Sequence, residues 1–265
     1  MGRTSDGAPI VLSAAERETF FERGYLRIPA VFSAAEVEEV QAAFERVKNM
    51  ARALPATAEI NGALFVLDNP ALGGPVRIHR VVWCCALDPV LLRMGRDVRL
   101  LDVASQLLGT SSMDHLISQA HFKLPGDDVT FPWHQDSAHR RYGTDLWTDV
   151  NGTGSFVQLI TAVDPMHENN GPLLVLPGSC KRGHIPPLLG TSHVEVTEHE
   201  AAQAVTILLD PGDVLVVGPF TIHSSRANRS RTPRRVFING YSSPGANRRI
   251  YPGSGTGVRV STVRA

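Results

Sequence analysis

Beyond Gly109 the chain consists of short strand-like segments separated by turns, and this pattern constrains the possible folds more than any other feature. Leu116 to Leu124 alternates between polar and apolar residues, as a strand with one buried face does. Turns rich in Gly, Pro and Asp separate the later apolar segments, for example Pro211-Gly212-Asp213. Many short strands with this punctuation are typical of a double-sheet jelly roll or a barrel, whose mouth can hold a ligand.

Periodicity and turn signals predict seven strands in this region. They are Leu116 to Leu124, Trp133 to Asp136, Ser155 to Asp164, Pro172 to Pro177, Val205 to Leu209, Val214 to Val217 and Arg235 to Tyr241. A long polar loop from Gly143 to Gly154 carries Trp147, and a Gly-, Pro- and Arg-rich tail follows the last strand.

The N-terminal part of the chain has a helical pattern instead. Ser13-Ala-Ala-Glu16 and Ser33-Ala-Ala-Glu36 are capping boxes, and the second opens a helix that runs to about Ala53. Leu54 to Val76 is predicted to be loop-like, and Pro89 to Leu108 to be helical. We therefore predict a mainly β (α+β) fold in one domain, residues 1–265. Residues 1–110 would be mostly helical support and residues 111–245 the jelly-roll core.

Composition excludes several classes of partner. Basic and acidic residues balance at 26 each, so the charge gives no reason to expect nucleic acid or an anionic membrane. The first nine residues lack the apolar core of a signal peptide, and no segment has the roughly 18 apolar residues of a membrane span. Three cysteines, Cys84, Cys85 and Cys180, cannot form a disulfide framework. These features predict a cytoplasmic protein and leave its oligomeric state open.

The segment Phe131-Pro132-Trp133-His134-Gln135-Asp136 carries the clearest sign of chemistry. In a β-strand His134 and Asp136 project from the same side, so both can bind one metal ion. If the fold brings His223 to the same place, two imidazoles and one carboxylate would hold the ion on one side. That ligand set is the one used by non-haem iron(II) oxygenases, and it leaves positions open for small ligands. A single His-x-Asp is weak evidence, because such a pair often occurs by chance.

A second candidate is Arg234, eleven residues after His223. We predict that it begins the next strand and that this strand pairs with the one ending near His223. Arg234 could then reach the same cavity and bind a carboxylate of a dianionic ligand with two hydrogen bonds. The alternative is a surface arginine, because four further arginines crowd the same loop: Arg226, Arg229, Arg231 and Arg235.

Taken together, the motifs resemble the phytanoyl-CoA dioxygenase family of iron(II)- and 2-oxoglutarate-dependent oxygenases. The resemblance covers most of the chain, from Gly24-Tyr25 and the Phe32-to-Glu36 helix start onward. Its most specific points are Lys123-Leu-Pro-Gly126, Pro132 to Asp136, Asn169-Asn-Gly-Pro-Leu173, Leu176-Pro-Gly-Ser179, Pro211-Gly212-Asp213, and His223-Ser-Ser-x-x-Asn228-x-Ser230 with Arg234. Each motif alone is weak, and their order along the chain gives the match its strength.

The resemblance implies a double-stranded β-helix (jelly-roll, cupin-like) core with flanking helices. His134, Asp136 and His223 match the family's metal ligands, and Arg234 matches the arginine that binds the 5-carboxylate of 2-oxoglutarate. Ser225 matches a hydroxyl that assists that arginine, and Gln119 a position that touches the cosubstrate in some members. The implied reaction uses iron(II), 2-oxoglutarate and dioxygen, releases succinate and carbon dioxide, and hydroxylates an unactivated C–H bond. Halogenating relatives lack the carboxylate ligand, so Asp136 favours hydroxylation, with desaturation and ring formation left open.

The substrate is less well determined by the sequence. Five basic residues near the motif would suit a small anionic metabolite, although a solvated basic loop gives the same pattern; they are His121, Lys123, His139, Arg140 and Arg141. Trp147 could cover the site as a lid or could be a packed aromatic residue. His79, with Arg77 and Arg80, could close the cavity from the N-terminal side, but a structural role is the simpler interpretation. We assign no role to the other histidines, which are His115, His167, His184, His193 and His199.

Two alternatives to the hydroxylase remain. One is a cupin-like enzyme that uses the same three ligands without 2-oxoglutarate and therefore has no need of Arg234. The other is a non-catalytic jelly-roll binding protein that has kept the site as a relic. The intact ligand set argues against a relic, which usually loses a ligand.

Overall fold

The computed structural model describes residues 8–68 and 77–262, and two antiparallel β-sheets form its core. The helices are α1 (Ala14–Arg23), α2 (Ala34–Arg52), α3 (Pro89–Gly95), α4 (Val98–Leu108), α5 (Asp136–His139) and α6 (Glu198–Ala201). The strands are β1 (Tyr25–Ile28), β2 (Ala58–Ile60), β3 (Ala63–Asp68), β4 (Arg77–Val82), β5 (Ser112–Lys123), β6 (Phe131–His134), β7 (Phe156–Ala162), β8 (Leu173–Val175), β9 (Val205–Thr206), β10 (Val214–Val217), β11 (His223–Ser225), β12 (Arg234–Ser242) and β13 (Val258–Ser261).

The two sheets differ in size and enclose one cavity. The larger has the order β1-β10-β7-β12-β5-β4-β3-β2, with β13 also paired to β5, and the smaller has the order β6-β11-β8-β9. A cavity of about 520 Å³ is lined by residues of both sheets, such as Ile238 of the larger and His223 of the smaller. This is the predicted jelly-roll architecture, and the fold class is confirmed.

Helices cover the outer face of the larger sheet. Along β12, Val236 and Ile238 line the cavity, while Phe237 between them packs against Phe44 of α2, with ring centroids 6.3 Å apart. Phe122 of β5 also contacts Phe44, at 5.3 Å. Alternation along each strand therefore separates a cavity face from a helix-packed face, as the period of two requires. Both predicted capping boxes form and start α1 and α2.

Three local predictions need correction. Leu54 to Val76 is not all loop, because β2 and β3 form a hairpin there; residues 69–76 lie outside the described residues. Its turn, Asn61-Gly62, has φ values of 51° and 78°, as a two-residue hairpin turn between twisted strands requires. The helical region from Pro89 to Leu108 is two helices. The Asp97 carboxylate accepts a hydrogen bond from Arg99 N and so caps a second helix that begins at Val98. The predicted strand Val205 to Leu209 shortens to β9.

No helix in the described ranges combines the length and the hydropathy that a bilayer crossing needs.

Gly171 provides a test of this packing. It has a φ of 76°, and a Cβ there would overlap the carbonyl oxygen of Arg226 and contact Ala227. We expect Gly171→Ala to lower the free energy of unfolding by about 3 kcal/mol, since a left-handed conformation and a backbone clash both add cost. Gly126→Ala is the matched control, because Gly126 has a φ of 79° and open space around its Cα. It should cost only about 1 kcal/mol, from backbone conformation alone. Equal losses in chemical denaturation would show that the Arg226 contact is unimportant.

Candidate active site

Cross-strand pairing brings the two histidines together. β6 and β11 are antiparallel neighbours in the smaller sheet, with His134 directly opposite His223 and ring centroids 4.2 Å apart. The Nδ1 atom of His134 lies 2.8 Å from the Pro132 carbonyl oxygen, and that of His223 lies 3.0 Å from the Thr221 carbonyl oxygen. A carbonyl only accepts, so each Nδ1 carries the proton and each Nε2 keeps a free lone pair. Metal-binding histidines are commonly oriented in this way.

Asp136 reaches the site by a route that differs from the prediction. The strand ends at His134, Gln135 is still extended (φ −113°, ψ 141°), and Asp136 is the first residue of α5. Its ligand atom and those of His134 and His223 lie within 4.8 Å of one another. One oxygen of the Asp136 carboxylate is buried without a hydrogen-bond partner. A buried carboxylate oxygen without a partner costs free energy unless a cation pairs with it. The three side chains therefore fit a divalent metal ion.

The side chain of the intervening Gln135 points away from the metal-binding side chains. Its amide nitrogen donates to the carbonyl oxygens of Gly183 (2.9 Å) and Phe220 (2.7 Å), and its amide oxygen accepts from Ile185 N (2.8 Å). The side chain therefore ties two neighbouring loops to the motif. We infer that Gln135 holds the turn that carries Asp136 into the site.

The pKa shifts of His134 and Asp136 favour the protonation states that bind a cation. Burial lowers the pKa of His134 to about 3, and the neighbouring His223 contributes, so the imidazole is neutral at physiological pH. Burial acts to raise the pKa of Asp136, but His223, Arg140 and His134 outweigh it and the net shift is downward. A neutral imidazole and an ionised carboxylate are the protonation states that bind metal.

Arg234 enters the same cavity from the opposite wall. It begins β12, as predicted, but β12 pairs with β5 and β7 of the larger sheet, whereas β11 belongs to the smaller sheet. The predicted pairing with the His223 strand is therefore wrong, and the two sheets instead face each other across the cavity.

Burial leaves much of the Arg234 guanidinium without partners. Arg234 is 2 % exposed, so the surface alternative is also wrong. One of its terminal nitrogens donates to the Gly171 carbonyl oxygen (2.8 Å), while its Nε has no partner. Burial lowers the pKa of Arg234 to about 10, and the group stays charged at neutral pH. A buried, charged guanidinium with an unpaired nitrogen is well suited to bind an anion.

The Asn228 side chain holds in place the Arg-rich loop that precedes Arg234. Its amide nitrogen donates to the Lys123 carbonyl oxygen (2.9 Å) and to the Thr232 carbonyl oxygen (2.7 Å). Its amide oxygen accepts from the Ser230 backbone nitrogen (2.9 Å). The loop is thus fastened to the end of β5, immediately beside the start of β12.

The other predicted cosubstrate residues also line the cavity. Ser225 follows His223 on β11, and Gln119 lies on β5 with its amide oxygen 2.7 Å from His121 Nε2. Lys123 shares the inner face of β5 but does not line the cavity, since its amine donates to Ser225 Oγ (2.7 Å) and to the Arg226 carbonyl oxygen. Lys123 therefore lies behind Ser225, next to Arg234.

The four predicted substrate residues have different outcomes. His121 lines the cavity, stacked on Phe131 at 5.5 Å. Trp147 is a packed aromatic and not a lid, because it is buried, stacks on Tyr142 at 4.9 Å, and donates to the Gly154 carbonyl oxygen (3.3 Å). Arg141 is exposed outside the cavity, since its positive φ of 63° turns the chain after α5. Lys123, as described above, lies behind the wall.

Several cavity residues were not among the predicted site residues, although His139 and Arg140 belong to the basic cluster next to the motif. These cavity residues are His79, Arg80, His139, Arg140, His193, Arg249, Tyr251 and Pro252. For Arg80 a signal existed, because it follows His79 in a short basic segment that could be placed near the site. For Arg249 and Tyr251 there was none, since the tail has no strand or helix pattern that would direct it back over the cavity.

Comparison with known proteins agrees with this architecture. The family model for phytanoyl-CoA dioxygenase matches residues 20–236. An ectoine dioxygenase of Bordetella bronchiseptica is 28 % identical over 251 residues, which cover 88 % of this chain and 76 % of that protein. An L-proline trans-4-hydroxylase of Streptomyces griseoviridis is 24 % identical over 243 residues, covering 83 % and 82 %.

A solved structure gives the same result. The structure of EctD from S. alaskensis with 2-oxoglutarate and 5-hydroxyectoine superposes with a TM-score of 0.71 at 25 % identity, covering 95 % of this chain and 82 % of that one. The family match spans most of the chain, and the relatives share its fold and its class of reaction. The chain therefore belongs to the phytanoyl-CoA dioxygenase family and is an iron(II)- and 2-oxoglutarate-dependent dioxygenase.

Proposed function

We propose that His134, Asp136 and His223 bind the iron, that Arg234 binds the far carboxylate of 2-oxoglutarate, and that the enzyme hydroxylates a small metabolite. One observation carries the proposal. An incompletely paired carboxylate with two oriented imidazoles faces an incompletely paired guanidinium across one cavity. Each group is costly to bury alone, and an iron(II) ion with a bound dianion would compensate both.

The chain's own contribution is to bind and orient. Three protein ligands leave the remaining iron positions open. When bound, the iron and cosubstrate supply the redox chemistry that converts 2-oxoglutarate to succinate and carbon dioxide and delivers a hydroxyl group to carbon. Arg234, held by the Gly171 carbonyl oxygen, sets the distance of the far carboxylate from the metal ligands. Apolar residues such as Leu64, Val82 and Leu173 line the cavity and limit water beside the reacting carbon.

We propose a role for Lys123 that differs from the expected contact with the substrate. Because its amine donates to Ser225 Oγ, the Ser225 proton is free to point toward a carboxylate held by Arg234. We therefore propose that Lys123 supports the cosubstrate site together with Ser225, while Gln119 contacts the cosubstrate from β5. In its charged form Lys123 also adds a second positive charge near the dianion.

The size of the cavity limits the substrate. About 520 Å³ must hold both 2-oxoglutarate and the molecule that is oxidised. Ectoine and L-proline, named for two relatives, are small molecules of the size that would fit. We propose a small metabolite here as well, and the free thiols of Cys84, Cys85 and Cys180 agree with action in a reducing cytoplasm.

The cofactor assignments can be tested without a substrate. Iron(II) and then 2-oxoglutarate are added without oxygen, and the visible charge-transfer band of the chelated cosubstrate is recorded. We expect a band in the wild type and none in His134→Ala. Arg234→Gln should need about 100-fold more 2-oxoglutarate, because it removes one partner of a buried charged pair. Exposed Arg93, paired with Glu39 on the surface, supplies the control Arg93→Gln, which should behave as the wild type.

Two outcomes of this titration would contradict the assignments. A band that survives in His134→Ala would exclude the proposed ligand set. The cupin-like alternative would be favoured if the wild type binds iron but gives no band with 2-oxoglutarate, and Arg234→Gln behaves in the same way.

A second prediction concerns pH. Burial, and then the charge of Arg234, lower the pKa of Lys123 to about 6, so its amine is mostly neutral at pH 7.5 before the cosubstrate binds. A dianion binds the charged form better, so binding raises this pKa and takes up a proton. Affinity for 2-oxoglutarate should therefore be highest near pH 6 and fall as pH rises, by up to about tenfold per unit.

The comparison variant is Lys123→Met, which keeps the volume and removes the titrating group. The other groups of the site are the same in both proteins, so the ratio of the two dissociation constants isolates Lys123. That ratio should favour the wild type most at pH 6 and approach a constant at pH 8 to 9. Parallel pH profiles of the two proteins would contradict a role for the Lys123 charge.

A further inference from the structure

Positive charge exceeds negative charge in the cavity even with the cofactors bound. Among the described residues that line it there are four arginines, Arg80, Arg140, Arg234 and Arg249, and one acidic side chain, Asp136. An iron(II) ion and a 2-oxoglutarate dianion carry equal and opposite charges, so together they leave this excess unchanged. Some of the excess must be balanced by another bound group or by solvent.

Two of the arginines already have assigned roles, although the Nε atom of Arg140, like that of Arg234, is buried without a hydrogen-bond partner. Arg234 is assigned to the cosubstrate. Arg140 is buried, its guanidinium lies over the rings of Phe156 (4.9 Å) and Tyr251 (5.3 Å), and its charge contributes to the lowered pKa of Asp136. We regard Arg140 as a support for the metal-binding carboxylate. Arg80 and Arg249 remain.

Arg80 is held on a rigid part of the cavity wall. It lies on β4 directly opposite His121 of β5, and His121 lies opposite Val236 of β12, so these three residues form one row facing the cavity. One terminal nitrogen lies 3.0 Å from the His79 Nδ1 atom, which is an uncharged acceptor. Within residues 8–68 and 77–262, no carboxylate is at ion-pair distance from Arg80. The Asp68 carboxylate acts on Arg80 only from beyond ion-pair distance, so this half-buried guanidinium lacks a direct counter-ion and is well suited to bind an anion.

Arg249 is fixed near the metal-binding side chains from the C-terminal side. One terminal nitrogen donates to the His139 carbonyl oxygen (2.7 Å), and its guanidinium lies over the Tyr251 ring at 4.9 Å. The Asn247 side chain donates to the Arg249 carbonyl oxygen (2.7 Å), which anchors the backbone. The His139 ring contacts the His134 ring at 5.4 Å. Again, none of the described carboxylates pairs with this guanidinium.

We propose that the substrate carries an anionic group, a carboxylate or a phosphate or phosphonate, that Arg80 binds, with Arg249 supplying a second charge. The proposal rests on the proposed function, because it takes Arg234 as occupied by 2-oxoglutarate. An anion on the β4 wall would hold the rest of the substrate against the apolar lining beside the metal ligands. Neutral analogues would leave the Arg80 guanidinium unpaired and would therefore be rejected.

The test uses matched probes rather than a known substrate. Each set is a carboxylate, its neutral amide and its phosphonate on one carbon skeleton, for example cyclohexanecarboxylate, cyclohexanecarboxamide and cyclohexylphosphonate. Binding to the oxygen-free iron(II)–2-oxoglutarate complex is measured by equilibrium dialysis at constant ionic strength. Because the cosubstrate is present in excess, Arg234 is not available to the probes. The carboxylate and phosphonate arms show which anion the site prefers.

We expect wild type to bind the anionic members about tenfold or more tightly than the amide, the difference of a charge-assisted pair. Arg80→Gln should abolish most of that preference, Arg80→Lys should keep part of it, and Arg249→Gln should reduce it. Arg93→Gln, on the outer surface, should leave it unchanged. The charge-transfer band is recorded for every variant, and its persistence in Arg80→Gln shows that folding, metal and cosubstrate binding are intact.

Three results would overturn the proposal. They are an absence of preference for any anionic probe, a preference that persists in the Arg80→Gln/Arg249→Gln double variant, and an Arg80→Gln effect on 2-oxoglutarate affinity alone. The last result would assign Arg80 to the cosubstrate. A wild type without the charge-transfer band would be a failure of the proposed function itself and is recognised independently of the probes.

Discussion

The antiparallel pairing of β12 with β5 and β7 is the interaction on which the rest of the structure depends. β12 is buried along its whole length, and its alternation divides the molecule into two layers. Phe237 faces the helices, whereas Val236 and Ile238 face the cavity. The same register places Arg234 opposite Lys123 at the end of both strands. The backbone hydrogen bonds of β12 therefore hold the hydrophobic core together and also position the Arg234 guanidinium.

The candidate site contains buried polar groups that have no hydrogen-bond partner within the folded chain. An Asp136 carboxylate oxygen and the Arg234 Nε are both buried without partners, and such groups normally destabilise a fold. They persist because neighbouring groups hold them in place. His134 and His223 are cross-strand neighbours, the Gly171 carbonyl oxygen accepts from Arg234, and Asn228 fastens the loop that precedes Arg234. Preorganisation of this kind lowers the cost of ordering the site when ligands bind.

The cavity wall is assembled from segments far apart in the chain. β4 supplies Arg80, β6 and β11 supply the histidines, and the segment after β12 supplies Arg249. The metal-binding side chains come from the smaller sheet and from α5, while the arginines available to a substrate come from β4 of the larger sheet and from the C-terminal segment. This division allows a common reaction centre to be combined with different substrate walls, as expected where function lies in sites built on a shared fold.

Local signals in the sequence determined a great deal. The capping boxes at Ser13 and Ser33 and the turn-punctuated strands predicted the fold class, because caps, alternation and turns depend on neighbouring residues. The ordered motifs around His134, His223 and Arg234 predicted the reaction through their resemblance to a known family. The tertiary structure alone decided that β12 pairs away from β11, that Trp147 is core, that Arg141 points outward and that Arg80 and Arg249 face the cavity. Those outcomes depend on pairing between distant strands and on loop conformations such as the positive φ of Arg141, neither of which is encoded in local periodicity.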